Sequence, residues 1–149
     1  MINFKNLDKE IDCIPKAKTE YSAGYDCVSR VTVTLPANST AIIPLGFSYD
    51  WEDLDGLEKI VMQDIFIQLE LRSSLRAKGL LAGTGILDAD YTDEVKLIVH
   101  NLNSEPFVIN KGDRVAQILI MEHQGNTLLG NKYRENKQRN GGLGSTNKD

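Results

Sequence analysis

Residues 65–71 read Ile-Phe-Ile-Gln-Leu-Glu-Leu, with Ile65, Ile67, Leu69 and Leu71 on every second position. That period of two belongs to a strand with one buried face and suits no helix. Similar short runs recur along the chain. Val31-Thr32-Val33-Thr34-Leu35 is rich in β-branched residues and stops at Pro36. Ala41-Ile42-Ile43, Val95-Lys96-Leu97-Ile98-Val99, Phe107-Val108-Ile109 and residues 115–121 follow the same style. Residues 2–4 and 23–28 predict further strands, residues 36–40 a turn, and residues 12–22 an irregular stretch. Residues 72–79, Arg-Ser-Ser-Leu-Arg-Ala-Lys-Gly, break the alternation. A serine pair before Leu-Arg-Ala-Lys, closed by glycine, predicts one N-capped helical turn. Short strands at intervals of roughly ten residues, with a single helical turn, predict an all-β fold, a jelly-roll or β-sandwich-like barrel. No internal repeat interrupts this picture.

The 149 residues suit one domain able to bury a core. Residues 1–129 are expected to form the β-barrel domain. Residues 130–149, rich in Asn, Gly and Lys, are expected to form an extended C-terminal arm. Net charge is −4, unevenly placed: the arm carries five basic and two acidic residues, leaving an acidic body. An acidic body lacks the broad basic face of a nucleic-acid binder, and the basic arm suits a small anionic ligand. No apolar run of about 18 residues marks a membrane span. The first ten residues hold no signal-type apolar stretch. Cys13 and Cys27 have neither metal-ligand spacing nor a disulfide framework, so a reducing cytoplasm is expected. Two histidines, His100 and His123, make no zinc cluster. Residues 50–58 hold five acids and read as a solvated loop.

The chemistry concentrates in residues 83–94, Gly-Thr-Gly-Ile-Leu-Asp-Ala-Asp-Tyr-Thr-Asp-Glu. Gly83 and Gly85 admit unusual backbone angles and close approach of another group. Ile86 and Leu87 are expected to pin the segment to the core. Asp88 and Asp90, on alternate positions, point to one side in extended chain. With Val95 onward as the returning strand, the segment predicts a β-hairpin whose tip presents two carboxylates and the Tyr91 ring.

Five segments together resemble the five motifs of the trimeric dUTPases: Ala23-Gly24-Tyr25-Asp26-Cys27, Arg72-Ser73-Ser74-Leu75 with Gly79, Gly85-Ile86-Leu87-Asp88-Ala89-Asp90-Tyr91, Gly112-Asp113-Arg114-Val115-Ala116-Gln117-Ile118, and Gly141-Gly142-Leu143-Gly144-Ser145-Thr146. They appear in the family's order and span nearly the whole chain. The resemblance implies an enzyme splitting dUTP to dUMP and pyrophosphate, controlling the dUTP pool and supplying dUMP for dTMP synthesis. In it Asp88 is the general base that readies water for the α-phosphorus, a role worth about 10²–10⁴-fold. Asp26 holds Mg²⁺ through the ion's waters. Arg72, Ser73, Ser74 and Gln117 bind phosphates. Tyr91 lies under the deoxyribose, and the main chain near Gly83, Gly85 and Ile86 reads uracil. Gly141, Gly142, Gly144 and Ser145 wrap an anion as the arm closes over a neighbouring subunit, so a homotrimer shares its sites.

Three positions depart from the family's pattern. Leu143 stands where the lid aromatic would stack on uracil, which implies weaker substrate binding. Gln138 occupies the usual place of the lid arginine, and Arg139 follows one position later. Thr92-Asp93 replaces an Arg-Gly pair after Tyr91. The acidic stretch 50–58 is also longer than the family's usual loop. Two rival readings stand beside the enzyme. A dCTP deaminase would need a glutamate three residues before Asn101, where Ile98 stands. A weakly active or non-catalytic nucleotide-binding relative would fit the altered lid.

Overall fold

The computed structural model describes residues 1–51 and 64–125. The expected arm of residues 130–149 and most of the acidic stretch 50–58 lie outside the described residues. Twelve strands and one helical turn are described: β1 (Ile2–Asn6), β2 (Lys16–Ala17), β3 (Tyr25–Val28), β4 (Val33–Leu35), β5 (Ser39–Pro44), β6 (Phe47–Trp51), β7 (Ile65–Leu71), α1 (Ser73–Arg76), β8 (Leu80–Leu81), β9 (Gly85–Asp88), β10 (Lys96–Asn101), β11 (Phe107–Ile109) and β12 (Arg114–Glu122). The fold is all-β, as the alternation predicts. The strands form four sheets, ordered β1-β6, β5-β10-β8, β11-β4 and β2-β3-β12-β7-β9.

The five-stranded sheet positions everything that follows. On β7, Ile67, Leu69 and Leu71 are buried while Phe66, Gln68 and Glu70 are only half-buried. β12 pairs antiparallel with β7 from Ala116↔Leu71 to Glu122↔Ile65, and with β3 on its other edge. Ala116, Ile118 and Cys27 join the inward row. They share one core cluster with Ile43, Leu80, Leu97 and Val99 of the three-stranded sheet and with Leu35, Phe47 and Val95. Burying each large aliphatic side chain contributes about 1.5–3 kcal/mol, so the inward row fixes register and, with it, what the outward row presents.

The expected hairpin at residues 83–94 does not form. β9 pairs with β7, while β10 pairs with β5 and β8, so the segment crosses between sheets. The cause is burial: Tyr91 is 6% exposed and Val95 fully buried. Val95 N donates to Phe47 O (2.9 Å), and Val95 O accepts from Leu45 N (3.0 Å). These bonds carry the chain over the core towards β5 rather than back along β9. Ile86 is 57% exposed and does not anchor the segment; Leu87 packs against the core. Asp88 ends β9 and Asp90 lies in the turn beyond it, so the two carboxylates do not share one extended face.

The helical turn forms where expected, but the serines are its first two residues rather than its cap. Arg72 holds the cap position with extended backbone (ψ 140°) and no side-chain cap bond. Gly79 ends the turn at φ +81°, a left-handed angle that favours glycine. Gly83 and Gly85 are absent from the positive-φ glycines, so backbone strain is not their role. Two strands escaped the sequence reading, β6 and β8, as did the short pairing of β2 within residues 12–22. Ser39 and Thr40 belong to β5 rather than to the preceding turn.

Candidate functional site

Opposite the core, the five-stranded sheet presents an outward row across three strands. Gln117 on β12 stands in register with Asp26 on β3 and with Glu70 on β7. Asp26 gathers a cluster. Its Oδ1 accepts from Gln117 Nε2 (3.1 Å) and lies 3.3 Å from Arg72 Nε. Its Oδ2 accepts from Arg114 Nη1 (2.8 Å). Burial pushes the Asp26 carboxyl up, but the bonds from Gln117 and Arg114 and the Arg72 charge outweigh it and hold the carboxyl below its ordinary value. Arg72 is placed by the end of β7, where its own N–H donates to Val115 O (3.1 Å). Gly24 is needed for close approach: a Cβ there would meet Gln117 Oε1 at 3.3 Å. Ser73 and Ser74 are exposed beside the cluster. Arg72, Ser74, Lys78 and Arg114 open on a cavity of about 530 Å³ whose far wall is β11 and the turn at Asn110 and Asp113. Lys78, Arg72 and Arg114 face it, the two arginines already paired with Asp26, opposite Asp113, whose carboxylate accepts from Asn110 N at 2.8 Å. Such a wall suits a polyanion.

A carboxylate offers about four lone-pair directions, and at Asp26 three are faced by Gln117, Arg114 and Arg72, two of them arginines. The donor set therefore does not fit a directly held dication, and no group of three His, Cys, Asp or Glu that could hold a metal occurs among the described residues. Only contact through a bound water fits the remaining direction, with the metal held chiefly by another ligand.

Asp88 occupies the same sheet face at the far end of β9, opposite Phe66 on β7. Its carboxyl side is exposed. Its main-chain carbonyl and the next one are held by β6: Tyr49 Oη donates to Asp88 O (2.7 Å), and Trp51 Nε1 donates to Ala89 O (2.8 Å). Tyr91 is a wall and not a projecting ring, with its centroid 6.4 Å from that of Tyr49 and its hydroxyl donating to Glu94 O (3.1 Å). A Cβ on Gly85 would press on Leu69 Cβ at 3.1 Å, whereas one on Gly83 meets nothing within 4 Å. The main chain at Gly83 is thus open to an approaching group.

The structure therefore brings together Asp26, Arg72 and Gln117, with Ser73 and Ser74 adjacent, and separately Asp88, Tyr91, Gly83, Gly85 and Ile86. It does not bring these two groups together. From Asp26 to Asp88 is three strand spacings across and four residues along, about 20 Å. Arg139, Leu143, Gly144 and Ser145 lie outside the described residues. Sequence reasoning missed Arg114, although it stands inside the fourth motif three residues before Gln117. It also missed Tyr49 and Trp51, although Phe47, Tyr49 and Trp51 alternate with Ser48 and Asp50 along β6.

One sheet face of this all-β chain thus carries a basic, amide-bearing cluster and, apart from it, an exposed carboxylate on a braced main chain. A sequence model of the dUTPase family matches residues 11–147. The deoxyuridine 5'-triphosphate nucleotidohydrolase of Candida glabrata is 30% identical over 145 residues, covering 95% of this chain and 94% of the relative. That of Rickettsia bellii is 32% identical, covering 97% and 94%. Among solved structures, the EIAV dUTPase is 25% identical, with a TM-score of 0.68 over 92% of this chain and 99% of that one. A dUTPase from phage phi11 of S. aureus, described with a structural Mg(II) ion, shares the fold at 20% identity, with a TM-score of 0.70 over 83% of this chain and 91% of that one. The chain belongs to the dUTPase family of enzymes.

Proposed function

We propose that this protein hydrolyses dUTP to dUMP and pyrophosphate. The observation that carries the reading is that four of the five motif segments meet one face of the five-stranded sheet: Asp26, Arg72, Asp88 and Gln117 all belong to its outward rows or ends. In this reading Arg72, Ser73, Ser74 and Gln117 hold the triphosphate. Asp88 takes a proton from water, whose oxygen bonds the α-phosphorus. The bond from that phosphorus to the bridging oxygen breaks, and the electron pair leaves with pyrophosphate. The main chain at Gly83, Gly85 and Ile86 reads uracil, and Tyr91 floors the sugar. Asp26 would face the waters of a Mg²⁺ ion bound with the nucleotide, and that ion would supply neutralisation of phosphate charge.

A general base must lie within about 3 Å of the water proton it takes, far less than the separation between the two groups. That separation supports sites shared between copies, and the proposal includes a homotrimer in which Arg139, Leu143, Gly144 and Ser145 of an arm close each site. It also includes a cytoplasmic setting, in keeping with two buried cysteines free of disulfide, and a metabolic role in limiting dUTP and providing dUMP for dTMP synthesis.

Pyrophosphate release from dUTP with Mg²⁺ tests the reading, with dCTP as control and Asp88→Asn as the second arm. The expected result is release from dUTP alone, falling about 10²–10⁴-fold in the variant while nucleotide binding persists. Binding of dUTP without release would overturn hydrolysis in favour of a nucleotide-binding regulator. Full activity in the variant would remove Asp88 as base.

A further inference from the structure

Glu70 lies outside the five motif segments, yet it stands at the middle of the outward face, in register with Gln117. Its Oε1 accepts from Thr84 Oγ1 (2.7 Å) and from Gln68 Nε2 (3.0 Å). Its Oε2 pairs with Arg76 Nη2 of α1. Arg76 is itself fixed, its Nε donating to Leu71 O (3.2 Å). One carboxylate thus ties together the strand β7, the helical turn that follows Arg72, and the turn that enters β9. An exposed ion pair alone would be worth about 0–1 kcal/mol and would signify little. Glu70 differs in two respects: its side chain is only 21% exposed, and the partner that lowers its carboxyl most is the Thr84 hydroxyl, followed by Gln68, against burial, and then Arg76.

Thr84 occupies a telling place. Gly85 after it is paired with Leu69 in the β7–β9 ladder, and Gly83 before it has open space where a side chain would be. Thr84 itself is exposed, and its hydroxyl donates to Glu70. The main chain there is therefore held at Gly85 by strand pairing, open at Gly83, and tied between them through the Thr84 side chain.

We propose that Glu70 is a positioning residue for base recognition: through Thr84 it fixes the main chain of residues 83–86, and through Arg76 it locks that edge to the phosphate-binding turn at Arg72. This rests on the reading of residues 83–86 as the edge that meets uracil. Base selectivity and affinity then depend on the Glu70–Thr84 bond, and the chemical step does not.

The test compares Thr84→Val, which keeps the shape and loses the hydroxyl, with Thr84→Ser, which keeps the hydroxyl, and with Glu70→Ala alone and combined with Thr84→Val. KM, kcat and Tm are measured, with dUTP and dCTP as substrates. Thr84→Val should raise KM for dUTP about tenfold, since a hydrogen bond to a charged group is lost, with kcat within about twofold. The preference for dUTP over dCTP should fall with it, and Thr84→Ser should restore both. The double variant should be no worse than Glu70→Ala, the mark of one shared interaction. An unchanged KM and preference in Thr84→Val, or a fall in Tm alone, would overturn the proposal and leave a structural brace. If the unaltered protein releases no pyrophosphate, the hydrolase reading fails by itself. Calorimetric affinities for dUMP against dCMP in the same variants then decide this inference, a constant ratio overturning it.

Discussion

At the scale of single residues, a carboxylate is as acidic as the donors around it make it. Asp8 accepts from Glu10 N (2.8 Å) and Ile11 N (3.0 Å) through Oδ1, while Lys111 Nζ stands 3.1 Å from Oδ2. The two backbone bonds lead, burial opposes them, Lys111 adds to them, and the carboxyl is lowered from 3.8 to about 2. A lowered carboxyl stabilises the fold fully above its unfolded value, and that contribution is lost as pH falls through the folded one. The expected outcome is that Tm declines between about pH 4 and pH 2, and that Asp8→Asn, less stable at neutral pH, flattens this part of the decline. A thermal-melt series across that range checks it. Neither the bonds nor the shift could be read from Leu7-Asp8-Lys9, because both depend on a turn and on a lysine a hundred residues away. In the sequence, Arg72 and Gln117 stand out as phosphate contacts and Asp26 as a water-mediated Mg²⁺ contact, each through the resemblance of its motif. That they converge on one carboxylate, with Arg114 as a fourth member, emerges only from the β3-β12-β7 register. Ile86 shows the opposite failure, since an apolar residue reads as core until the strand's parity is known.

At the scale of elements, β7 was legible because period two is a local property that burial enforces residue by residue. The supposed hairpin was not, because pairing is a competition between edges: Tyr91 and Val95 gain more by entering the core than β10 would by returning along β9. Likewise, serine beside a helical turn suggests a cap, yet the extended backbone of Arg72 shifts the start of α1 back by one residue, which leaves both hydroxyls exposed next to Asp26's cluster. The glycine that ends α1 was legible and can be tested. At Gly79, φ is +81° and an added Cβ would collide with the Asn103 amide, which donates to Lys78 O (3.0 Å). Gly79→Ala should destabilise the fold by about 1–3 kcal/mol, seen as a Tm lower by about 3–10 °C. The displaced turn also carries Lys78 and Ser74 of the cavity wall, so nucleotide affinity should fall in the same variant. A Tm within a degree of the parent's would show that the turn relaxes without cost.

At the scale of the whole molecule, distance decides which groups can meet one ligand. Asp88 and the Arg72–Gln117 cluster share a sheet face, yet about 20 Å of pleated surface lies between them. No rotamer bridges that gap, and the clamps from Tyr49 and Trp51 prevent β9 from delivering Asp88 elsewhere. If the base and the phosphate-holding groups act on one nucleotide, they come from different copies. Two variants separate this from action within one chain. In the proposed reading Asp88→Asn lacks the base and Arg72→Ala lacks a phosphate contact, so each homo-oligomer should be nearly inactive. Unfolding them together in equal amounts and refolding gives mixed oligomers. Where each site draws Asp88 from one copy and Arg72 from another, about one site in four receives both intact residues, and activity should return to about a quarter of the unaltered protein's. Where both residues act from one chain, every chain is damaged and no mixture recovers. Sizing by light scattering on the same samples shows whether mixed oligomers formed, so the absence of activity from properly assembled mixtures would rule out sharing.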